Sequence, residues 1–466
     1  MKYSAGKKLL LLYVIAGFVL SSCNADEKMP MPDSPSRYVE ISGGMEKAEG
    51  TRVSGLTSAD GKMDFKWDED DKITVVTKDR SRSSVFTLKS IDPSDGSRAV
   101  FVGELPGEGN TFDIFYKYDL NAGEATPVIP DVQTYQEKGV ADGTVPMAAI
   151  NADISKGFSL SVIDCSVFRF KVKSNDAKVL SHIVLIGYLA DTTHIYSIDC
   201  DGKVTLSSSS STEFNIVADA GTDWSGGFSL ILTSADDKVA TKDKTGTVDV
   251  SSRKGKVLGY PEFTVDFKDK PDGVQLYAGG PYWSVSNLGA SDDDKYGKYY
   301  AWGEIAEKTD YSWENYFHGT KDNIKKYTPT DRKTTLDSLD DAATQKLGTP
   351  WRIPTQQEMQ RLKNECEWTS SNLGTILGVT VSGKGLFEGK SIFLPASGHI
   401  GGNNVYKKNE YCEYWCSFVD RNSTDCFCAW ALHCDKNTSA PSWFSEQRYL
   451  GKSIRPVCSA PGVESR

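Results

Sequence analysis

The stretch Tyr282-Trp283-Ser284-Val285-Ser286-Asn287-Leu288-Gly289-Ala290 opens a series of seven short motifs that decides the fold of the last part of the chain. No single motif is diagnostic, but their order indicates one domain between residues 273 and 466. The other six are Tyr299-Tyr300-Ala301-Trp302-Gly303-Glu304, Asp340-Asp341-Ala342-Ala343, Trp351-Arg352-Ile353-Pro354-Thr355, Ile392-Phe393-Leu394-Pro395-Ala396-Ser397-Gly398, Tyr414-Trp415-Cys416-Ser417 and Ser453-Ile454-Arg455-Pro456-Val457.

Together these motifs resemble the major paralogous domain of Fibrobacter and Bacteroidetes surface proteins. That family is similar in fold to C-type lectins and to the formylglycine-generating enzyme. The resemblance implies an α+β C-type-lectin-like domain at 273–466 and a cell-surface location, but it says little about activity. We assign the tryptophans of the framework motifs to packing: Trp283, Trp302, Trp351 and Trp415.

Two helices are predicted within this domain. One covers about residues 338–347 and is stopped by Gly348 and Pro350. The second follows Thr355, which forms a capping box with Glu358. Its buried face is predicted from residues at helical spacing, Met359, Leu362 and Cys366.

Length and charge limit the possible functions. A chain of 466 residues is too long for one compact core, so two or three domains are expected. Its net charge of −10 and pI of about 5.2 disfavour binding to nucleic acid or anionic lipid through a basic surface. Eight of the ten tryptophans follow Gly273, and the polar segment 266–273 predicts a domain boundary.

Residues 1–23 are predicted to be a lipoprotein signal peptide. Lysines at 2, 7 and 8 precede the short apolar run 9–20, which ends in the lipobox Leu20-Ser21-Ser22-Cys23. Cys23 is the predicted lipidation site, the alternative being an ordinary signal peptide with a chance cysteine. Residues 24–39 are predicted to be a flexible tether. The sequence Asn24-Ala25-Asp26-Glu27 resembles the signal that exports Bacteroidetes lipoproteins to the outer face of the outer membrane, although it is also compatible with a solvated acidic linker.

The region between residues 40 and 267 has strand periodicity. Phe168, Phe170 and Val172 alternate with Arg169 and Lys171, which predicts a half-buried strand. Near-continuous apolar runs at 182–189 and 228–232 are typical of a sandwich interior. We therefore expect two β-sandwich domains, at 40–150 and 151–267.

Short landmarks in this region resemble the fimbrillin (Mfa-like) family of Bacteroidetes type V pili and related lipoproteins. They are Thr51-Arg52, Phe65-Lys66-Trp67-Asp68, Phe115-Tyr116-Lys117-Tyr118, Ile129-Pro130 near Gln133, Pro146-Met147-Ala148 and Lys254-Gly255-Lys256-Val257. The resemblance implies cleavage after an early arginine, for which Arg52 is the candidate. Loss of the first strand then opens a groove that another subunit fills by donor-strand exchange. The alternative is that Arg52 is simply a solvent-exposed residue.

The cysteines of the C-terminal domain allow three interpretations. Disulfides are plausible in an exported protein, but the number of these cysteines is odd. A zinc site would require paired short spacings with histidine, which Cys428, His433 and Cys434 match poorly. The third interpretation is burial as reduced thiols. The seven residues are Cys366, Cys412, Cys416, Cys426, Cys428, Cys434 and Cys458.

No cofactor, metal or enzymatic activity is predicted. The triplets that hold calcium and sugar in C-type lectins are missing from the sequence, and the acidic runs 292–294 and 340–341 are assigned to a solvated loop and a helix N-terminus. We see neither a phosphate loop nor a nucleophile elbow. A cysteine-dependent enzyme of the formylglycine-generating fold is an alternative supported only by fold resemblance.

The head is expected to bind a ligand on another cell, either a glycan or a protein. For a glycan, stacking of aromatic faces on sugar rings is the expected means. The candidate ligand-binding residues are Tyr406, Trp430, Trp443, Asn403 and Asn404, and for each aromatic the competing role is core packing. The sequence thus predicts an outward-facing, lipid-anchored outer-membrane protein that is an adhesin or a pilus tip subunit. Only nine residues follow Val457, which favours the tip because a stalk subunit must donate its tail. The main alternative is a surface glycan-binding lipoprotein that never assembles.

Overall fold

A computed structural model describes residues 37–46, 49–50, 65–121, 123–137, 139–141, 143–190, 192–292, 294–421, 427–437 and 440–461. The predicted signal peptide with Cys23, most of the tether and the predicted cleavage site Arg52 lie outside these residues. Within the described ranges, no helix has the length and apolar character needed to cross a membrane.

Short, alternating strands build the N-terminal part. In β3, for example, Ile73 and Val75 point into the core and are almost fully buried. The strands are β1 (Tyr38–Met45), β2 (Glu49–Gly50), β3 (Lys72–Val76), β4 (Ser83–Ile91), β5 (Arg98–Glu104), β6 (Thr111–Tyr116), β7 (Tyr118–Asn121), β8 (Glu124–Pro127), β9 (Val132–Thr134), β10 (Met147–Asp153) and β11 (Phe158–Leu160).

Seven of these strands form one sheet in the order β10-β6-β3-β4-β5-β1-β11. Its two end strands meet, because Ala148 and Ser161 exchange backbone hydrogen bonds of 2.9 and 3.0 Å. The sheet therefore closes around its own core, whereas the sequence predicted a sandwich of two sheets. Closure pairs edge strands that would otherwise remain open to other chains.

Strand β1 is an inner strand of this closed sheet. It pairs antiparallel with β5 from Tyr38 to Gly44 and parallel with β11 from Gly43 to Met45. Ile41 and Met45 contribute side chains to the core. The strand begins at Tyr38, so the last two residues assigned to the tether belong to the fold.

The chain crosses between the two β units more than once. The short strands β2 and β9 pair with strands of the second unit, while β10 and β11 complete the first. The boundary predicted at residue 150 falls inside β10, and the change of unit comes after Leu160. Local periodicity does not reveal this exchange, because a three-residue strand looks the same in either sheet.

The second unit is a sandwich whose two sheets enclose an apolar core. One sheet has the order β15-β12-β18-β2 with β19 also on β12, and the other has the order β20-β17-β16-β13-β14-β9. The strands are β12 (Cys165–Ser174), β13 (Lys178–Tyr188), β14 (Thr193–Leu206), β15 (Thr212–Asp219), β16 (Gly227–Ser234), β17 (Lys238–Lys244), β18 (Lys256–Gly259), β19 (Phe263–Val265) and β20 (Lys268–Asp269).

Strand β12 is buried on both faces for most of its length, so the prediction that Arg169 lies on a solvent face was wrong. Val167 on that face belongs to the core of the first unit, which covers the sheet. Arg169 is 2% exposed. Its Nε donates to Asn215 Oδ1 at 2.9 Å and lies 3.3 Å from Glu213 Oε1.

The C-terminal part combines short sheets with two helices. A four-stranded sheet of order β21-β22-β35-β25 pairs the first strands of this part of the chain with its last strand. The elements are β21 (Val274–Gln275), β22 (Tyr282–Trp283), β23 (Gly319–Thr320), β24 (Asn323–Ile324), α1 (Ala342–Leu347), β25 (Trp351–Arg352), α2 (Gln356–Glu365), β26 (Glu367–Leu373), β27 (Ile376–Ser382), β28 (Ser391–Pro395), β29 (His399–Gly401), β30 (Asn404–Tyr406), β31 (Tyr411–Val419), β32 (Cys428–Asp435), β33 (Pro441–Gln447), β34 (Gly451–Lys452) and β35 (Val457–Cys458).

Both predicted helices are confirmed. Helix α1 is capped by Asp341, whose Oδ1 accepts from the backbone N–H of Thr344, and it ends at Gly348. Helix α2 has the predicted capping box between Thr355 and Glu358. The residues on its predicted inner face, Met359, Leu362 and Cys366, are buried.

Buried polar side chains join the sequence motifs of this part to one another. The guanidinium of Arg455 is 1% exposed and donates to Asn287 Oδ1, Ser284 O and Phe393 O at 2.7–2.9 Å. Trp302 Nε1 donates to Cys416 O, and Trp415 Nε1 donates to Tyr300 O. Since buried donors need partners, these residues hold distant motifs in one arrangement.

The C-terminal part rests on the outer face of the second sandwich. Ile186 and Ile231 pack there against Tyr282 and Ala460. Gly279 has φ +63°, and a Cβ at this position would lie 2.8 Å from Ile186 Cδ1. This cover explains why the apolar runs of β13 and β16 are buried on both faces.

Candidate functional site

The structure separates the predicted ligand-binding residues into two groups. Asn403, Asn404 and Tyr406 lie together on the β29–β30 hairpin and are exposed, with Tyr406 at 48%. Gly402, with φ +58°, makes the two-residue turn possible. This hairpin presents Tyr406 at the surface of the C-terminal part.

Trp443 and Trp430 lie elsewhere, on strands β33 and β32. Trp443 is half-buried, packs on the core and donates its Nε1 hydrogen to Gln360 Oε1 of α2. Leu432 pairs with Trp443, and strand alternation places Trp430 on this same face. The sheet thus separates both tryptophans from the neighbours of Tyr406, and its contacts give Trp443 a packing role.

His399 connects Tyr406 to the interior. The two residues form a cross-strand pair with ring centroids 5.5 Å apart and an interplanar angle of 26°. His399 Nδ1 lies 3.1 Å from Glu413 Oε2. The exposed phenol ring is therefore backed by an imidazole that a carboxylate orients.

Glu413 and Lys452 form a buried ion pair beneath this surface. Their side chains are 4% and 1% exposed, and Lys452 Nζ donates to Glu413 Oε2. Burial alone would raise the pKa of Glu413, but the hydrogen bond from His399 and the charge of Lys452 outweigh it and lower the pKa to about 2. Glu413 is therefore ionised at neutral pH.

A second histidine extends the contacts to the other side of Glu413. His433 Nδ1 lies 3.9 Å from Glu413 Oε1, and its ring centroid is 4.6 Å from that of Phe444 and 4.4 Å from that of Tyr411. Burial lowers the pKa of His433, which favours its neutral form. Phe444 is 44% exposed.

These contacts form what we call the Tyr406 cluster, a continuous row of side chains: Tyr406, His399, Glu413, His433 and Phe444. Two half-exposed aromatic rings flank imidazole groups above a buried, paired carboxylate. Aromatic faces stack on the C–H faces of a ligand ring, while ring nitrogens and the amides of Asn403 and Asn404 exchange hydrogen bonds with hydroxyls. The arrangement is suited to binding a ligand.

Sequence reasoning missed His399, Glu413, His433 and Phe444. One signal was available in the charge of Glu413 between the apolar residues of the run 411–419, because a buried charge requires a partner. A second signal was the small number of histidines, because the chain has only five and two of them belong to this cluster.

The described cysteines are free thiols, and all are buried. Cys412 and Cys434 lie opposite each other in the register of β31 and β32. Burial raises the pKa of Cys366, Cys416 and Cys434 to about 12, which leaves little nucleophilic thiolate at neutral pH. Cys426 lies outside the described residues.

Within the described ranges, no group of three or more His, Cys, Asp or Glu side chains is arranged to hold a metal ion. Asp292 pairs with Lys295 at 2.7 Å, and Asp341 caps α1. Asp340 accepts from Tyr327 and Lys326. The acidic residues described in the two runs are thus engaged within the fold.

The chain matches no protein-family profile, and no curated protein matches it. Its structure has remote likeness to a proposed cell adhesion protein from Parabacteroides distasonis, at 6% identity and a TM-score of 0.24, covering 45% of this chain and 78% of that one. The C-terminally truncated tip fimbrial protein Mfa3 from Porphyromonas gingivalis has 9% identity and a TM-score of 0.23, covering 45% and 81%. A leucine-rich repeat protein from Bacteroides thetaiotaomicron has 12% identity and a TM-score of 0.17, covering 50% and 27%. Likenesses this weak assign neither fold nor function.

Proposed function

We propose that this chain is an adhesin-like, surface-exposed bacterial lipoprotein whose C-terminal part binds a ligand on another surface. The Tyr406 cluster is the observation that carries the proposal. Its exposed rings, oriented imidazoles and neighbouring amides favour a glycan over an anionic or metal-bridged ligand. The predicted lipobox at Cys23 supports a lipid anchor in the outer membrane that faces outward.

Replacing Tyr406 by alanine tests the binding role. We expect binding to a glycan array to weaken about tenfold, because a central aromatic contact is worth roughly 1–2 kcal/mol. The fold should survive, since Tyr406 is 48% exposed. Phe317→Ala is the matched control, because Phe317 is a 77% exposed aromatic of the same part of the chain. Equal loss in both variants, or no loss in either, would contradict the proposal.

A second role, assembly into a fimbrium by donor-strand exchange, is favoured by the position of β1. Cleavage after Arg52 would remove an inner strand that lies between β5 and β11. The resulting gap would accept a strand from another subunit. Strand β35, at the other end of the described chain, lies between β22 and β25, so residues 457–458 cannot be donated without opening their own sheet.

The mature N-terminus distinguishes assembly from the alternative of a single glycan-binding lipoprotein. For a fimbrial subunit we expect mass spectrometry of protein sheared from intact cells to give a chain beginning at Val53. A diacylated Cys23 with an uncut Arg52 would instead support the tethered lipoprotein. Neither outcome affects the binding role proposed for Tyr406.

A cysteine-dependent enzyme is the alternative of another class. It requires a reactive thiol, whereas burial raises the pKa of the described thiols and hides them from substrate. Rapid, selective alkylation of one cysteine in the folded protein would favour the enzyme over the adhesin.

A further inference from the structure

A cleft of about 780 Å³ separates the second sandwich from the C-terminal part, on the side where α2 begins. Its volume is within the usual range for ligand sites, and such sites are common at domain interfaces. The cleft is lined by other residues than the Tyr406 cluster. We call it the interdomain cleft and define it by Tyr188, Thr193 and Ile195 of the sandwich and by the first turn of α2, Ser417 and Phe418 of the C-terminal part.

Both walls of the cleft present apolar and aromatic surface. Ile195 and Tyr188 are half-buried on the sandwich side, and Phe418 is half-buried on the opposite side. A ligand between these walls would therefore need apolar faces as well as polar groups.

The charged side chains that line the cleft are already engaged. Arg352 donates two hydrogen bonds to Glu358, of 2.5 and 2.7 Å. Arg361 donates to Glu365 at 2.6 and 3.0 Å. Asp341, the remaining lining carboxylate, accepts from the backbone at 2.8 and 2.9 Å. Because a charged ligand would have to displace one of these partners, the lining favours a neutral one.

Several hydrogen-bonding groups at the cleft are unused. Ser417 is 3% exposed, and among the described residues its Oγ has no hydrogen-bond partner. Helix α2 has ten residues, and the backbone N–H groups of Gln356 and Gln357 precede its intrahelical bonds. Ser417 lies next to the start of α2, because its backbone N–H donates to Pro354 O at 2.9 Å. An unsatisfied buried hydroxyl is costly unless another group completes it.

We propose that the interdomain cleft binds a neutral oligosaccharide. Its hydroxyl oxygens would accept from the first N–H groups of α2 and one hydroxyl would pair with Ser417, while its C–H faces pack between Tyr188 and Phe418. This site is independent of the Tyr406 cluster and would give the protein a second glycan contact.

Two substitutions test the cleft in the full-length protein, using an array of neutral glycans and calorimetry with the best array ligand. Thr193→Trp fills the cleft from β14 and is expected to weaken binding at least about tenfold. Thr205→Trp on the same strand is the matched control, because Thr205 is exposed and does not line the cleft. Ser417→Ala is expected to weaken binding about fivefold without lowering the Tm, since it removes an unpartnered hydroxyl.

The outcomes separate this site from the one at Tyr406. Loss of binding by Thr193→Trp and Ser417→Ala, with Thr205→Trp unchanged, supports the cleft even if Tyr406→Ala has no effect. The proposal is overturned if no neutral glycan binds, if all binding is lost with Tyr406→Ala alone, or if the cleft binds a peptide with an affinity that Ser417→Ala does not change.

Discussion

Removing residues 1–52 is expected to destabilise the first β unit by about 5 kcal/mol or more. The truncation takes away the buried Ile41 and Met45, and deleting one such side chain typically costs about 2–5 kcal/mol. It also leaves the edge of β5 that pairs with β1, from Arg98 to Glu104, without a partner, while the other edge stays paired with β4. Since a domain is stable by only about 5–15 kcal/mol, the truncated protein should unfold early in urea or associate through the open edge.

A peptide spanning residues 37–46 should reverse this effect when added in trans. It carries the side chains and the backbone pairing that β1 supplies, so the Tm of the truncated protein should rise with peptide concentration. The control is the same peptide with Ile41→Asp, which places a carboxylate in the core and should not rescue. A truncated protein that stays monomeric with an unchanged Tm would show that β1 is dispensable.

Glu413→Gln is expected to lower the free energy of unfolding by about 3–5 kcal/mol at pH 7, because it leaves a buried ammonium without its carboxylate. Lys452 is 1% exposed, and the carboxylate that remains near it, that of Glu446, lies 4.0 Å away and is partly exposed. Urea denaturation measures the loss. Glu410→Gln is the control, because Glu410 is 56% exposed in its pair with Lys407 and should change stability little.

The carboxylate of Glu413 also makes the free energy of unfolding depend on pH in the acid range. The pKa of Glu413 in the folded protein, about 2, lies below its ordinary value of 4.5. Its contribution of about 3 kcal/mol is therefore present above pH 4.5 and is lost as the pH falls towards 2. Glu413→Gln should remove this part of the pH dependence. The pH dependence that comes from His433 remains. It appears as the pH falls below 6.5, the ordinary pKa of a histidine. Parallel curves for the two proteins between pH 5 and pH 3 would contradict the assignment.

Sequence patterns predicted the elements that are determined by residues close together in the chain. Asp341, Thr355 and Glu358 cap the two helices because capping depends on residues three apart. The alternation of Phe168, Phe170 and Val172 likewise predicted a strand, which is β12. Framework tryptophans such as Trp302 and Trp415 are buried as expected.

What could not be predicted depends on contacts between distant segments. The polar Arg169 is buried because the first unit covers its sheet, and nothing near it in sequence shows this. The crossing of β2 and β9 into the second sandwich is equally non-local. The binding site was predicted only in part. The exposure of Tyr406 follows from its polar hairpin. Its contact with His399 could not be predicted, because it depends on strand register.

The crossing strands also determine how the protein would carry mechanical load. Strands β2 and β9 run parallel to their partners β18 and β14 in the second sandwich. With the proposed lipid anchor and ligand contact, tension along the chain would load such pairs in shear, where their hydrogen bonds must break together. These strands thus join the two β units, which would resist stretching as one body.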